Sequence, residues 1–286
     1  MYTRTVVRES QPDWLTVGAH RAKAVRDLAD FTRSIAEGEQ ADGNKTSDWR
    51  LLGYEGYRTG RVRYGEARGW AIAQLSGDLA STWLRPMVTM ADSVSRLDLA
   101  VTVATDQPDP NAGRILYEQA REWRLTHPKA AKPWFIGGDE TGWTTYIGKR
   151  ESDWFLRCYD KAAETREDGD PELIDQYKNA WRYELEIKGQ PAQLTAEQLL
   201  RSGNIHNASN ALVYAWLSHR GCEPPWTPDQ PIQPVGTLRR RSDRDRKLLW
   251  LQTQVRPTVE WLSQNGDLDA VKRALGIALG PNLTES

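Results

Sequence analysis

The sequence predicts an α+β fold: a mainly antiparallel β-sheet core flanked by helices, with a helical C-terminal region. Three observations predict it. Short stretches with β-branched content or apolar/polar alternation recur up to about residue 190. A long amphipathic pattern, 111–127, crosses between two groups of these strands. From Leu194 onward the alternation gives way to helical spacing.

In chain order, residues 1–20 read as extended, with Trp14, Leu15 and Val17 as a short strand. Residues 20–36 place Ala22, Val25, Leu28, Phe31 and Ile35 at helical spacing. Gly38 to Lys45 is a polar loop, and Trp49 to Leu75 is a meander punctuated by Gly and Tyr. Leu79 to Met90 reads as a helix, and SVSRLDLAVTV (93–103) as a strand ended by Pro108 and Pro110. After the crossing helix come strands at Trp143–Ile147 and Asp153–Tyr159, a charged loop at 162–175, and the strand NAWRYELEIKG (179–189). Helical patterns run over 194–202 and 207–219. A stretch with five prolines, 221–236, reads as a linker or wrapping loop, and 238–280 as two helices. The expected organisation is therefore 1–190 as the β-sheet domain, 191–236 as helices and a Pro-rich connector, and 237–286 as a helical C-terminal region.

Composition bounds the chemistry. The chain has 286 residues, a formal net charge of -1 and 39% apolar residues. Its mean hydropathy is -0.68. No run of about 18 apolar residues suggests a membrane span, and Met1 to Gln11 lacks a signal-like apolar core, so a cytoplasmic location is expected. Cys158 and Cys222 form no CxxC pair, and the four histidines have no ligand spacing, so zinc is not indicated. A metal would have to be held by carboxylates, which suits Mg2+ or Mn2+. Thirteen tryptophans fit either core filling or base stacking.

Three strands carry residues with chemical potential. Alternation in 93–103 puts Arg96, Asp98 and Ala100 on one face. An acid at mid-strand among apolar neighbours needs a cation, either Arg96 or a metal ion. In WRYELEIKG, Arg182, Glu184, Glu186 and Lys188 share a face, with the two glutamates roughly 7 Å apart. Their repulsion is relieved by Arg182 and Lys188 or by a divalent ion with Asp98. In YIGKRESDWFLRCYDKAAE (146–164), Phe155, Arg157, Tyr159 and Lys161 alternate onto one face. A tyrosine between two cations is either a rim tyrosine or a nucleophile whose phenolate those cations favour.

The three segments, in this order and spacing, resemble the Rep_trans family of initiators of rolling-circle plasmids and filamentous phages and relaxases of integrative conjugative elements. Both the Y-x-G-x-R-x-S and R-x-Y-D-K strings are present, and the resemblance covers roughly residues 12 to 190. It implies that 1–190 is a nicking domain with Tyr159 as nucleophile and Asp98, Glu184 and Glu186 as ligands of Mg2+ or Mn2+. It also implies phosphate contacts from Arg150 and Arg157, and Lys161, Arg182 and Lys188 on these strands are further candidate phosphate or DNA contacts. Many relatives carry a second Asp four residues after the first. Here that position is Thr102, a poor metal ligand.

The implied activity is site-specific nicking and joining of one DNA strand through a 5′-phosphotyrosine, with an extruded or single-stranded origin as substrate. Trp143 and Trp154 are candidates for stacking the freed bases. Arg239, Arg240 and Arg241, in LRRRSDRDRK, are candidate duplex contacts, with a solvated helix start as the alternative. Expected partners are a host helicase and polymerase and, as in many relatives, a second copy in a homodimer. A relaxase with the same chemistry and a non-catalytic DNA-binding regulator are the alternatives.

Overall fold

A computed structural model of the chain describes residues 5–36, 54–56, 60–65, 70–106, 111–138, 142–232, 251, 255–266 and 269. The chain divides into two compact units, Met1–Gly236 and Thr237–Ser286.

The first unit is built on nine strands: β1 (Thr5–Ala19), β2 (Tyr54–Gly56), β3 (Gly60–Gly65), β4 (Trp70–Ser76), β5 (Ser93–Thr105), β6 (Trp134–Gly138), β7 (Gly142–Gly148), β8 (Trp154–Asp160) and β9 (Ala180–Lys188). They form one sheet in the order β2-β3-β4-β1-β5-β9-β8-β7-β6. Every described pairing is antiparallel. The helices of this unit are α1 (Ala22–Ala36), α2 (Asp78–Thr82), α3 (Leu84–Met90), α4 (Ala112–Thr126), α5 (Lys161–Asp168), α6 (Pro171–Gln176), α7 (Gly189–Ser202) and α8 (Ile205–Ser218). The expected α+β class with an antiparallel sheet is what the chain adopts.

Alternation sorts the side chains of β5, β8 and β9 to two faces. Leu97, Leu99, Val101, Leu156, Cys158, Tyr183, Leu185 and Ile187 form one continuous core with Ala192, Ala196 and Leu199 of α7 and Leu212 and Leu217 of α8. Two helices laid across one face remove these apolar groups from water, the main favourable term in the fold. At Gly113 of α4, an added Cβ would lie 2.6 Å from the Trp181 ring, so this helix needs glycine to sit so close to the sheet. Past α8 the coil of residues 221–232 is no free linker. Cys222 and Trp226 are buried in the core, and Trp226 meets the Tyr183 ring edge-on at 4.8 Å.

Four stretches differ from the sequence reading. β1 is a 15-residue strand rather than a short one. The helix expected over 79–90 is two, divided at Trp83. The charged loop expected at 162–175 is α5 and α6, whose first turns are capped by Asp160 and Asp170. β6 lies in a segment to which no strand was assigned. In the second unit, the described helix is α9 (Arg256–Gln264). Arg239, Arg240 and Arg241 lie outside the described residues, as does the loop expected over Gly38 to Lys45. Among the described residues, no helix is long and apolar enough to cross a membrane.

Candidate active site

The face of the sheet opposite α7 and α8 carries the charges. Register fixes which side chains meet. Tyr159 lies opposite Arg182, Arg157 opposite Glu184, and Phe155 opposite Glu186. On the other edge of β9, Arg182 faces Thr102, Glu186 faces Asp98, and Lys188 faces Arg96. Directly opposed residues point the same way, so strands β5, β9 and β8 bring Asp98, Glu184, Glu186 and Tyr159 onto one face.

β1 adds to this face through an irregularity. Its register with β5 shifts between Pro12 and Trp14, so Asp13 is an extra residue against Leu99 and Asp98. Such a bulge lets two successive side chains serve the same side. Arg182 donates to Asp13 at 2.7 Å, and the Arg96 guanidinium lies 4.9 Å from the centre of the Trp14 ring.

The centre of the site is Glu184. Tyr159 Oη donates to its Oε1 at 2.8 Å, and Arg182 Nε donates to the same oxygen at 3.1 Å. Arg157 Nε donates to Oε2. Burial alone would raise the Glu184 carboxyl, but Arg157 and Arg182 outweigh it and hold it below its usual value. The Tyr159 hydroxyl moves the other way, pushed well above its usual value by burial and by the Glu184 charge. The pair is therefore a tyrosine poised against a carboxylate. Arg157, whose side chain is 49% exposed where that of Glu184 is 6%, carries its charge to solvent. A cleft of about 230 Å³ opens beside them, lined by Tyr146, Thr144, Arg157, Tyr159, Glu164 and Glu167.

The other two acids form a separate group. Arg96 grips Asp98 with two hydrogen bonds, of 2.8 and 2.6 Å, and reaches Glu186 Oε2 at 2.8 Å. Lys188 pairs with the other Glu186 oxygen. Burial pushes Asp98 up to about 6 despite Arg96. Thus each of the three expected metal ligands is paired with an arginine. Among the described residues, no three His, Cys, Asp or Glu side chains are gathered so as to hold a metal ion. As arranged, these residues do not fit a bound Mg2+ or Mn2+, because guanidinium groups stand between them.

The cations expected to meet phosphate fall in different places. Arg157 is on the site, and Arg150 is exposed in the turn after β7, where its carbonyl accepts from Lys188. That turn depends on Gly148, whose φ of +102° and close approach to the Trp154 carbonyl exclude a side chain. Arg182 does not face solvent. Its side chain is 8% exposed, and it also donates to Glu9 at 2.9 Å and Thr102 at 3.0 Å. With every guanidinium nitrogen engaged within the protein, it organises the acids. Lys161 leaves the strand as the first residue of α5, pairs with Glu164 and lies over the Tyr177 ring. Thr102, fully buried, accepts from Arg182.

Of the tryptophans singled out for stacking, Trp143 is stacked on Phe135 at 4.6 Å, and Trp154 packs against the core. Sequence reasoning missed Glu9, Asp13 and Trp134. The first two stand about 170 residues from Arg182 and become its neighbours only through the pairing of β1 with β5.

Comparison with known proteins bears on this segment. Replication initiation proteins of Staphylococcus aureus are 32% identical over 97 residues, 34% of this chain and 27% of the relative, and 31% identical over 97 residues, 34% and 26%. The matched segment spans about a quarter of the length of those curated relatives. The solved rolling circle replication initiator protein from Geobacillus stearothermophilus aligns over 74% of this chain and 85% of its own, at 17% identity and a TM-score of 0.46. Residues 93–220, from the start of β5 past the end of α8, match the model of the Rep_trans family, replication initiation factor, and this stretch holds Asp98, Tyr159, Glu184 and Glu186.

Proposed function

We propose that this chain initiates rolling-circle replication by nicking one DNA strand, with Tyr159 as nucleophile and Glu184 as its general base. The hydrogen bond from Tyr159 to Glu184 is the observation that carries the reading. A phenol this reluctant to ionise is a poor nucleophile alone and needs a base within hydrogen-bond reach. Glu184, held as a carboxylate, is that base.

In the proposed step, Glu184 takes the phenolic proton as Tyr159 oxygen bonds to phosphorus. The bond from phosphorus to the 3′ oxygen breaks, and that oxygen is protonated from solvent. The products are a 5′-phosphotyrosine and a free 3′-OH. Protonation neutralises Glu184, so Arg157 loses its partner as the phosphate gains charge beside it. Arg157 then stabilises the phosphoryl oxygens, as preorganised donors do. Rejoining runs the same path backwards: the 3′-OH gives its proton to solvent as its oxygen attacks phosphorus, the bond from phosphorus to the Tyr159 oxygen breaks, and Glu184 returns its proton to Tyr159. The phosphodiester energy stays in the covalent bond, so no ATP is required. Arg150 and Lys188 would steer the strand, and the free 3′-OH would prime a polymerase behind a host helicase.

The test is covalent capture. The protein, Tyr159→Phe and Glu184→Gln are incubated with supercoiled DNA from the native genetic neighbourhood, with and without Mn2+, and run on denaturing gels. Wild type should give a protein-linked nicked product. Tyr159→Phe should give none while still binding DNA, and Glu184→Gln should slow adduct formation by roughly 10²- to 10⁴-fold. Tight DNA binding with no adduct would return the chain to a non-catalytic regulator.

A further inference from the structure

The edge of the sheet nearest Tyr159 carries a column of rings. Trp134 of β6 stacks on Tyr146 of β7 at 3.8 Å with 12° between the planes. Tyr146 stacks on Phe155 of β8 at 5.8 Å and 19°. Register places all three on the open face: Trp134 is opposite Tyr146, and Tyr146 is opposite Arg157. The inner end of the column is buried at Phe155, while the outer end, Trp134, is 45% exposed on the last strand of the sheet. Ile136, two residues on, is also exposed.

We infer that this column is a stacking platform for an unpaired base of the strand being cut, with Trp134 as the ring the base meets. The inference rests on the nicking reading for the identity of the strand. The geometry carries the rest. A tryptophan on a solvent-facing strand, with one ring face already matched by a parallel ring, leaves its other face to extend the stack. Any base can do this, because every base has a π-face. Two strand spacings and two residues separate Trp134 from Tyr159, roughly 12 Å. A strand held at Tyr159 by its phosphate therefore reaches Trp134 with a base close by.

The cations that suit a nucleic-acid backbone here are Lys149 and Arg150, both exposed in the turn after β7 at the inner end of the column. Half-exposed Arg157, paired with Glu184, lies between the column and Tyr159. On the other face, by contrast, Tyr117, Phe135 and Trp143 also stack, but there Tyr117 belongs to α4, which covers them. Among the described residues, one of the two columns on this edge is covered by a helix and the other is not.

The test uses fluorescein-labelled (dT)20 and an abasic strand of the same length and charge, with fluorescence anisotropy as readout. Wild type should bind (dT)20 more tightly than the abasic strand. Trp134→Ala should weaken (dT)20 by roughly 5- to 150-fold and leave the abasic strand unchanged. Trp134→Tyr should keep most of the affinity. Unchanged (dT)20 binding by Trp134→Ala, with the covalent adduct intact, overturns the platform and spares the nicking reading. Equal weakening of both strands also overturns it, since base stacking cannot act on an abasic strand. If instead Trp134→Ala turns a dimer into a monomer in sedimentation while (dT)20 affinity holds, the surface belongs to a second copy and the platform falls. Absence of any adduct from wild type, with (dT)20 lost selectively in Trp134→Ala, sinks the nicking reading and keeps the platform.

Discussion

The two faces of this sheet are made by the same strands yet held by different forces. Under α7 and α8, alternate residues of β5, β8 and β9 are aliphatic or aromatic and are packed from water. On the open face, the residues between them are charged, and several are nearly as buried: Asp98, Arg182, Glu184 and Glu186 are all below a tenth exposed. No helix need cover them, because the long arginines lie across the acids. The lesson is that the covered face supplies stability, while the open face stores charge in a fixed pattern. Buried ion pairs seldom add net stability, but removing one partner is costly.

Arg182 is the place to break that pattern most severely. Arg182→Met keeps much of the volume but leaves Glu9, Asp13 and Glu184 without their shared cation. The expected loss is about 3–5 kcal/mol in urea unfolding. A loss below about 1 kcal/mol would mean that solvent already screens these acids. On the covered face, Leu185→Ala removes a fully buried side chain and should cost about 2–5 kcal/mol. It should nevertheless leave the rate of adduct formation per folded molecule close to wild type. A large change in that rate would show that the two faces are not energetically separable.

The smallest effect is the most diagnostic of charge. Burial raises Asp98 to about 6 from a usual 3.8. Between those values the folded chain holds a proton that the unfolded chain has released. Its contribution to stability is therefore fully present below about pH 4 and is lost as pH rises through 6. Urea unfolding of wild type and Asp98→Asn at pH 4.5 and 7.5 measures it. Wild type should gain on the variant at the lower pH. A difference that stays constant would mean Arg96 keeps Asp98 ionised throughout.

How much of this was legible beforehand follows from the range of the forces involved. Strict alternation exposed the shared faces of Arg96 and Asp98, and of Arg182, Glu184, Glu186 and Lys188. The order of three motifs pointed to Tyr159. β6 was hidden because Trp134-Phe135-Ile136-Gly137-Gly138 is short, ends in glycines and has apolar residues on both faces, one for each ring column. α5 and α6 were hidden by their charge, although Asp160 and the Asp170-Pro171 pair are ordinary helix-start signals. The roles of Arg96 and Arg182 were undecidable from spacing. Whether an arginine or a metal ion neutralises an acid depends on neighbours from β1, and the bulge at Asp13 has no signature in the sequence.

The burial of Cys222 and Trp226 bears on how this chain can be divided. A cut near residue 190, where the strands end, would strip α7, α8 and the coil beyond them from the sheet. Leu97, Leu99, Leu185 and Tyr183 would then form a bare apolar strip, a surface prone to self-association. A piece that keeps this face covered therefore runs past Trp226, and the coil of residues 221–232 is as much a part of the folded unit as the strands it packs on.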